Sequence, residues 1–508
     1  MQSLQDTSVL VLGLGASGLA MARWCAKHQA RVTVVDTRAQ PPGLQVLQAE
    51  LPSVTFKQVD QFRVDLVQGT EIRAVCRSPG LAPAQISPVL IAARAAGLPV
   101  WSELDLFSMG LAQLNASESY TPKILAITGT NGKTTVTSLT GQLVERAGKT
   151  VAVAGNIGPS LLDTLQERID AQTLPQVWVL ELSSFQLDGV EGFMPTMGTV
   201  LNLTQDHLDW HGDMAAYAAA KIRVFGAHSP AASLMLLNRD DAAVLAMRPA
   251  LLKGKPQRSD ISFGADLPLR PGDYGLESVG GMTWLVRALE ADETQKRRRG
   301  DKGDEIEIHL QRLMPADALR IRGRHNAMNA LAALALASAA GCQLNAMLYG
   351  LREYLGEPHR VESVAIVRDV EYFDDSKGTN VGATAAALKG LGAERKLVVI
   401  LGGDGKGQDF SPLAQPVSLH ARAVLLIGRD APLIAQALQG CGVPVYSVQT
   451  LEEAVQQSAL LAQTGDAVLL SPACASFDMF RSYGHRAEVF RKAVQHLADA
   501  AGVVMEGA

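Results

Sequence analysis

The segment Ile124-Leu-Ala-Ile-Thr-Gly-Thr-Asn-Gly-Lys-Thr-Thr135 joins an apolar run, a glycine-containing turn and the start of a helical pattern. That arrangement turns the backbone N–H groups of Gly129, Thr130, Asn131 and Gly132 toward an anion at a helix N-terminus. Lys133 would reach the β- and γ-phosphates of a nucleotide, and the Thr134 hydroxyl would ligate Mg²⁺. The spacing departs from G-x-x-x-x-G-K-[ST], because Ile127 occupies the first glycine position and Gly129 comes later.

A metal needs further oxygen ligands. Glu181 directly follows the apolar run Val177–Leu180, so its carboxylate would emerge at the same sheet edge as the phosphate loop. His207 lies in Asn202-Leu-Thr-Gln-Asp-His-Leu-Asp209, after the run Thr199–Leu201. Mg²⁺ favours hard oxygens, so Thr134, Glu181 and phosphate oxygens suit it better than imidazole. Taken singly, Glu181 reads equally well as a helix-capping acid and His207 as an ordinary hydrogen-bonded histidine.

Gly13-Leu-Gly-Ala-Ser-Gly18 follows the first apolar run, and Asp36-Thr-Arg38 follows the second, about twenty residues on. This is a dinucleotide fingerprint with an acid placed for a ribose, and the same geometry accepts NAD or any other diphosphate. Ser78-Pro-Gly80 reads as another wall of that site or as a plain turn. In the last third, His359-Arg360, Asp374-Asp-Ser-Lys-Gly-Thr-Asn380, Gly402-Gly-Asp-Gly-Lys-Gly407 and Ser471-Pro-Ala-Cys-Ala-Ser-Phe-Asp-Met-Phe480 bring cationic Arg360, Lys377 and Lys406 close to apolar runs. Each could hold phosphate or carboxylate.

These motifs need elements to position them. Runs rich in Val, Ile and Leu recur at Val9–Leu12, Val32–Val35, Ile124–Ile127, Val177–Leu180, Leu397–Leu401, Val424–Ile427 and Ala467–Leu470, each before a glycine turn and a helical pattern. The alternation predicts α/β domains with parallel sheets, whose ligands lie beyond the carboxyl ends of the strands. At 508 residues, the chain is long enough for about three domains. Turn-prone Asn115–Pro122 and Gly356–Pro358 suggest boundaries giving domains at 1–110, 111–356 and 357–508.

A net charge of −5 gives no general attraction to nucleic acid or to an anionic membrane. The stretch from His325 to Leu351 is uncharged and interrupted by polar residues, so it reads as a buried helix and not as a membrane span. Five scattered cysteines without a C-x-x-C pair argue against a disulfide framework, and with no signal-like N-terminus they favour a cytoplasmic protein. Residues 290–307 carry five basic and seven acidic side chains and read as a solvated loop or hairpin tip.

Taken in order, GLGASG, DTR, SPG, TGTNGKTT, GNIG, ELSSFQL, DH, AAK, HN, HR, DDSKGTN, GGDGK and SPACASFD resemble the Mur ligase family across nearly the whole chain. The resemblance is nearest to members that add D-glutamate to UDP-N-acetylmuramoyl-L-alanine in peptidoglycan precursor synthesis. It implies a three-domain architecture: a Rossmann-like N-terminal domain, a central P-loop ATPase-type domain and a C-terminal dinucleotide-fold-like domain. The implied reaction is ATP-dependent ligation through an acyl phosphate, with ATP and two Mg²⁺ ions, in a monomer.

By the same resemblance, Ser17, Asp36, Thr37, Arg38, Ser78, Gly80 and Asn156 face the UDP precursor. Lys133, Thr134, Thr135, Glu181 and His207 match the phosphate and metal positions, and Asn326, Asn329, Arg360, Asp375 and Lys377 match the ATP side. Thr379, Lys406, Ser476, Phe477 and Tyr483 match the amino-acid site. Lys221, which by position alone reads as a solvated helix lysine, matches a lysine carried as a carbamate that helps bind the second metal. Gly378 stands where alanine is expected, Phe477 where some members have leucine, and Tyr483 where some have phenylalanine. Two readings from other classes compete: an NAD-dependent dehydrogenase, which leaves TGTNGKTT without a role, and a non-catalytic nucleotide-binding protein.

Overall fold

A computed structural model describes residues 4–226, 233–251, 256, 258–291, 307–393 and 395–503. It divides into two compact units, one of Met1–Leu203, His207–Phe263 and Ala332–Met347, the other of Thr204–Asp206, Gly264–Leu331 and Leu348–Ala508.

The first unit holds two parallel sheets. Strands β1 (Ser8–Leu12), β2 (Arg31–Asp36), β3 (Thr55–Gln58), β4 (Ala74–Arg77) and β5 (Val100–Trp101) pair in the order β3-β2-β1-β4-β5. Strands β6 (Lys123–Thr128), β7 (Val151–Gly155), β8 (Val177–Glu181), β9 (Met197–Val200), β10 (Leu234–Asn238) and β11 (Asp260–Phe263) pair in the order β11-β10-β9-β6-β8-β7. Strands β1, β8 and β9 are buried at every position, as expected of apolar runs covered on both faces.

One apolar core joins the two sheets. Helix Glu103–Glu118 packs so closely that a Cβ on Gly110 would lie 2.9 Å from both Leu165 and Trp24. Arg23 and Lys27 add ion pairs to Asp163 and Asp170 at its rim. That helix also corrects one expectation. Asn115–Glu118, the start of the segment read as turn-prone, form its last turn, so residue 110 lies inside a helix capped by Ser102 and Asp105.

In the second unit, β12 (Tyr274–Val279), β13 (Met282–Glu290) and β14 (Ile308–Pro315) form an antiparallel meander. Most of the charged segment 290–307, namely 292–306, lies outside the described residues, and the two strands that flank it pair as a hairpin. A six-stranded sheet follows: β15 (Glu362–Val367), β16 (Val370–Asp374), β17 (Leu397–Gly402), β18 (Ala421–Ile427), β19 (Val445–Ser447) and β20 (Ala467–Leu470). Its order is β15-β16-β20-β17-β18-β19, with only β15 antiparallel to its neighbour.

The stretch from His325 to Leu351 is two helices, not one. Arg324–Ala339 ends before Gly341, whose φ of +77° breaks the helical path, and Leu344–Glu353 resumes it. Among the described residues, no helix is long and apolar enough to cross a membrane. All five cysteines are free.

Candidate active site

Strand order explains how distant motifs meet. In the N-terminal sheet, β2, β1 and β4 are neighbours, so the loops carrying Asp36, Gly13–Gly18 and Ser78 emerge side by side. Gly13 adopts φ +84°, and a Cβ on Gly18 would lie 2.0 Å from the Gly13 carbonyl, so only glycine lets the helix Ala16–Lys27 start this close to the turn. The Ser78 hydroxyl donates to that same carbonyl at 3.0 Å. The buried Asp36 carboxylate accepts from Leu14 N at 2.8 Å and from the backbone and guanidinium of Arg38. Burial pushes its pKa up, but Arg38 and the two backbone N–H groups outweigh burial and hold it below the usual range. Ser17 lies half-buried in the first helical turn, while Thr37, Arg38 and Gly80 are exposed around the same edge.

In the central sheet, β6 lies between β9 and β8, with β7 beyond β8, so the phosphate loop is flanked by Glu181 on one side and the His207 segment on the other. Gly129 (φ +154°) and Gly132 (φ +82°) shape the loop Gly129–Gly132, and helix Lys133–Arg146 begins at its end with Thr134 and Thr135 in the first turn. The loop is pinned from behind by Asn202: its Oδ1 accepts from Asn131 N at 2.8 Å, and its carbonyl accepts from Thr130 N at 3.0 Å. The Lys133 ammonium donates to the carbonyls of Gly129 and Thr130, each at 2.9 Å.

Glu181 ends β8 in register with Ile127 and Gly155 of the neighbouring strands and is 1% exposed. Its Oε1 accepts from Asn156 Nδ2 at 2.7 Å. Its buried Oε2 has no hydrogen-bond partner among the described residues, an arrangement costly for an ionised carboxylate unless a cation completes it.

The reading of Lys221 as a solvated lysine is overturned. It is 1% exposed at the end of helix Met214–Lys221, with its Nζ 2.8 Å from the Gly129 carbonyl and 3.3 Å from Thr128 Oγ1. The Tyr217 ring lies beneath it at 4.7 Å, and the Tyr217 hydroxyl meets Thr130 Oγ1 at 3.2 Å. His207 caps the short helix Leu208–His211 with φ +55°, its ring edge-on to Phe185. The structure thus ties Lys133 and Lys221 to one carbonyl, that of Gly129, with Glu181 in the adjacent strand.

In the second unit, β16, β20 and β17 are adjacent, so the loops Asp374–Asn380, Ser471–Phe480 and Gly402–Gly407 share one edge. Ala473 N donates to the Gly378 carbonyl at 2.9 Å, and Asp404 and Ala475 exchange backbone hydrogen bonds, which locks the three loops together. Ser476 is buried, Thr379 half-buried, and Lys377, Lys406, Phe477 and Tyr483 are exposed at this edge. The Lys377 ammonium sits 4.0 Å above the Tyr483 ring. Asn326 and Asn329 pair with each other at 3.0 Å on one helix face.

Buried Asp375 accepts from Ser471 Oγ at 2.7 Å. A Cβ on Gly378 would lie 2.4 Å from Asp375 Oδ2, so glycine there matches this placement of the carboxylate. Burial pushes the Asp375 pKa up to about 7, with the Ser471 hydrogen bond and half-buried Arg360 opposing it. The folded protein therefore keeps a proton on Asp375 between about pH 4 and 7 that the unfolded chain has lost, and stability falls as pH rises through that window. Asparagine cannot titrate. The melting temperature of Asp375→Asn should gain on the wild type between pH 5 and 8, by the equivalent of about 1.4 kcal/mol per pKa unit at most. A pH-independent difference between the two proteins would contradict this.

Several contributors were not singled out from sequence. Asn202 and Tyr217 stand inside segments that were, and Tyr217 lies four residues before Lys221, the spacing that puts two side chains on one helix face. His359 and Asp374 stand in two of the motifs read from sequence, and the structure brings His359 Nδ1 within 2.7 Å of Asp374 Oδ2.

Comparisons with known proteins agree with this layout. Family profiles match three segments: Mur ligase MurD-like, N-terminal domain at residues 7–102, Mur ligase middle domain at 127–337, and Mur ligase, glutamate ligase domain at 359–474. The chain is 64% identical to UDP-N-acetylmuramoylalanine--D-glutamate ligase of Albidiferax ferrireducens, over 100% of both chains. It is 58% identical to the protein of that name from a Polaromonas species, over 99% of this chain and 100% of the relative. Among solved structures, UDP-N-acetylmuramate-alanine ligase of Thermotoga maritima superposes with a TM-score of 0.52 at 18% identity, covering 96% of this chain and 99% of that one. A MurF ligase from the same organism, solved with ADP, gives 0.55 at 13% identity over 98% and 100%. At such identities these two structures speak to the fold alone.

Proposed function

The chain belongs to the Mur ligase family, and from that premise we propose that it joins D-glutamate to the L-alanyl carboxylate of UDP-N-acetylmuramoyl-L-alanine, converting ATP to ADP and phosphate in peptidoglycan precursor synthesis. The observation that carries this reading is the grouping of Lys133, Glu181 and buried Lys221 around one phosphate loop. A dehydrogenase has no use for it, and a passive nucleotide-binding protein has none for the buried Lys221.

A carboxylate is a poor electrophile, and forming an amide from it in water is unfavourable. Transfer of the γ-phosphoryl group to the L-alanyl carboxylate gives an acyl phosphate and ADP. The amine of D-glutamate then attacks the carbonyl carbon, and phosphate leaves as the amide forms. Backbone N–H groups of Gly129–Gly132 and the Lys133 ammonium would hold and neutralise the phosphates, while Asn326, Asn329, Arg360, Asp375 and Lys377 would serve the rest of ATP.

Glu181 Oε2, without a partner among the described residues, and the Thr134 hydroxyl are hard oxygens that fit Mg²⁺, and His207 and Lys221 would hold a second ion. When bound, the metal ions supply charge neutralisation at the transferring phosphoryl group. Lys221 suits a carbamate: reaction with CO₂ turns the cation into an anion, while its remaining N–H still has the Gly129 carbonyl to donate to. Asn156, held to Glu181, would bring the reacting end of the precursor toward this centre, and Ser17, Asp36–Arg38, Ser78 and Gly80 would bind its nucleotide.

For the amino acid, Lys406 would pair with a carboxylate of D-glutamate, with Thr379, Ser476, Phe477 and Tyr483 completing the site. The three family domains would take the precursor, ATP and the amino acid in turn. The chain would act in the cytoplasm, where such small, soluble substrates are met, and as a monomer, as the resemblance implies.

The test is phosphate release with ATP, Mg²⁺ and the UDP precursor across a panel of D- and L-amino acids. Release should require the precursor and be selective for D-glutamate. Equal stimulation by L-glutamate or D-alanine would refute the assignment.

A further inference from the structure

Helix Tyr483–Ala500 turns Ala487, Phe490, Ala493, Val494 and Ala498 into the core, and one cation among them. Arg486 is 0% exposed. An unpaired charge in such a place costs several kcal/mol, so what it touches matters. No carboxylate holds it by a hydrogen bond among the described residues; it donates through Nη2 to the Ser376 carbonyl at 2.8 Å and through Nη1 to the Cys474 carbonyl at 3.2 Å. Its Nε has no partner there. Ser376 directly precedes Lys377 in the loop after β16, and Cys474 stands two residues before Ser476 in the loop after β20. Three residues earlier on the same helix, Tyr483 lies beneath the Lys377 ammonium.

We propose that Arg486 is a positioning residue, a buried fork that fixes the loop carrying Lys377 and Thr379 against the loop carrying Ser476 and Phe477, and so sets the amino-acid and ATP-side contacts of the second unit. A planar guanidinium reaches two carbonyls on different loops at once; an ammonium, with a single nitrogen, does so poorly. Lys377 is then held twice, its backbone through Ser376 by Arg486 and its side chain by Tyr483. The Arg486 charge is met at longer range by Asp374, Asp375 and Asp478, yet the position needs more than charge. It needs two donors on one rigid plane.

The structural part of this stands without the proposed activity, and its functional consequence rests on that activity, so two readouts separate them. In Arg486→Lys, amides of residues 376–379 and 473–476 should exchange hydrogen at least tenfold faster, with helix Tyr483–Ala500 and the sheet unchanged. In the same variant and in Arg486→Met, the KM for D-glutamate should rise at least tenfold while that for the UDP precursor stays within twofold. Unchanged exchange in the two loops would overturn the proposal, as would faster exchange throughout or an equal rise in both KM values. Should Arg486→Met not fold, Arg486→Lys decides by the same comparison. Failure of both variants to fold would also overturn it, because Arg486 would then specify the fold and not the loops.

Discussion

Lys133→Ala is expected to lower turnover by at least about 10²-fold, the scale of losing one preorganised donor at a transition state, roughly 2.7 to 4 kcal/mol. The ammonium is positioned by the loop it serves, on the carbonyls of Gly129 and Thr130. Two carbonyls are weak partners beside a polyphosphate, so the ammonium is poised to exchange them for phosphate oxygens. Apart from those two hydrogen bonds, the loop is also pinned by Asn202 and the strand end. The variant should therefore keep its circular dichroism and melting temperature while losing the chemical step. Near-normal turnover in a folded Lys133→Ala protein would remove Lys133 from the mechanism.

Removing the Lys221 side chain should cost activity on a comparable scale, for a different reason. A lysine that is 1% exposed beside the phosphate loop is either a structural cation or the carrier of a carbamate. Restored charge distinguishes them. In Lys221→Ala, acetate or another short carboxylic acid under saturating Mg²⁺ should recover part of the activity, by placing an anion where the carbamate stood. The wild type supplied with ¹³C-bicarbonate should show a carbamate resonance that the variant lacks. Full activity of the unrescued variant would make Lys221 dispensable, and loss without rescue or resonance would leave it a structural cation.

The parts of this protein that could be read from sequence are those governed by local chemistry. Apolar runs became buried parallel strands, and glycines at Gly13, Gly129 and Gly132 took positive φ values that a turn demands. Boundaries governed by tertiary contact were less legible. The polar segment Asn115–Glu118 continues a helix because Leu111 and Leu114 anchor that helix in the shared core, and composition alone does not report that. The break at Gly341 was obscured by apolar residues on both sides.

Site residues followed the same division. Lys133, Glu181 and Asp375 stand in motifs immediately after strands, but the burial of Lys221 comes from a helix folding back over the phosphate loop. Arg486 had no motif to mark it, since its partners are backbone carbonyls, which every residue possesses.

The central claim is that the precursor's carboxylate is activated by phosphoryl transfer before D-glutamate attacks. It is tested most directly with UDP-N-acetylmuramoyl-L-alanine carrying ¹⁸O in its L-alanyl carboxylate, turned over with ATP, Mg²⁺ and D-glutamate. The phosphate released should contain one oxygen from that carboxylate, and ADP should contain none. Unlabelled phosphate, or label in the nucleotide, would contradict the acyl phosphate and with it the role assigned to the phosphate loop.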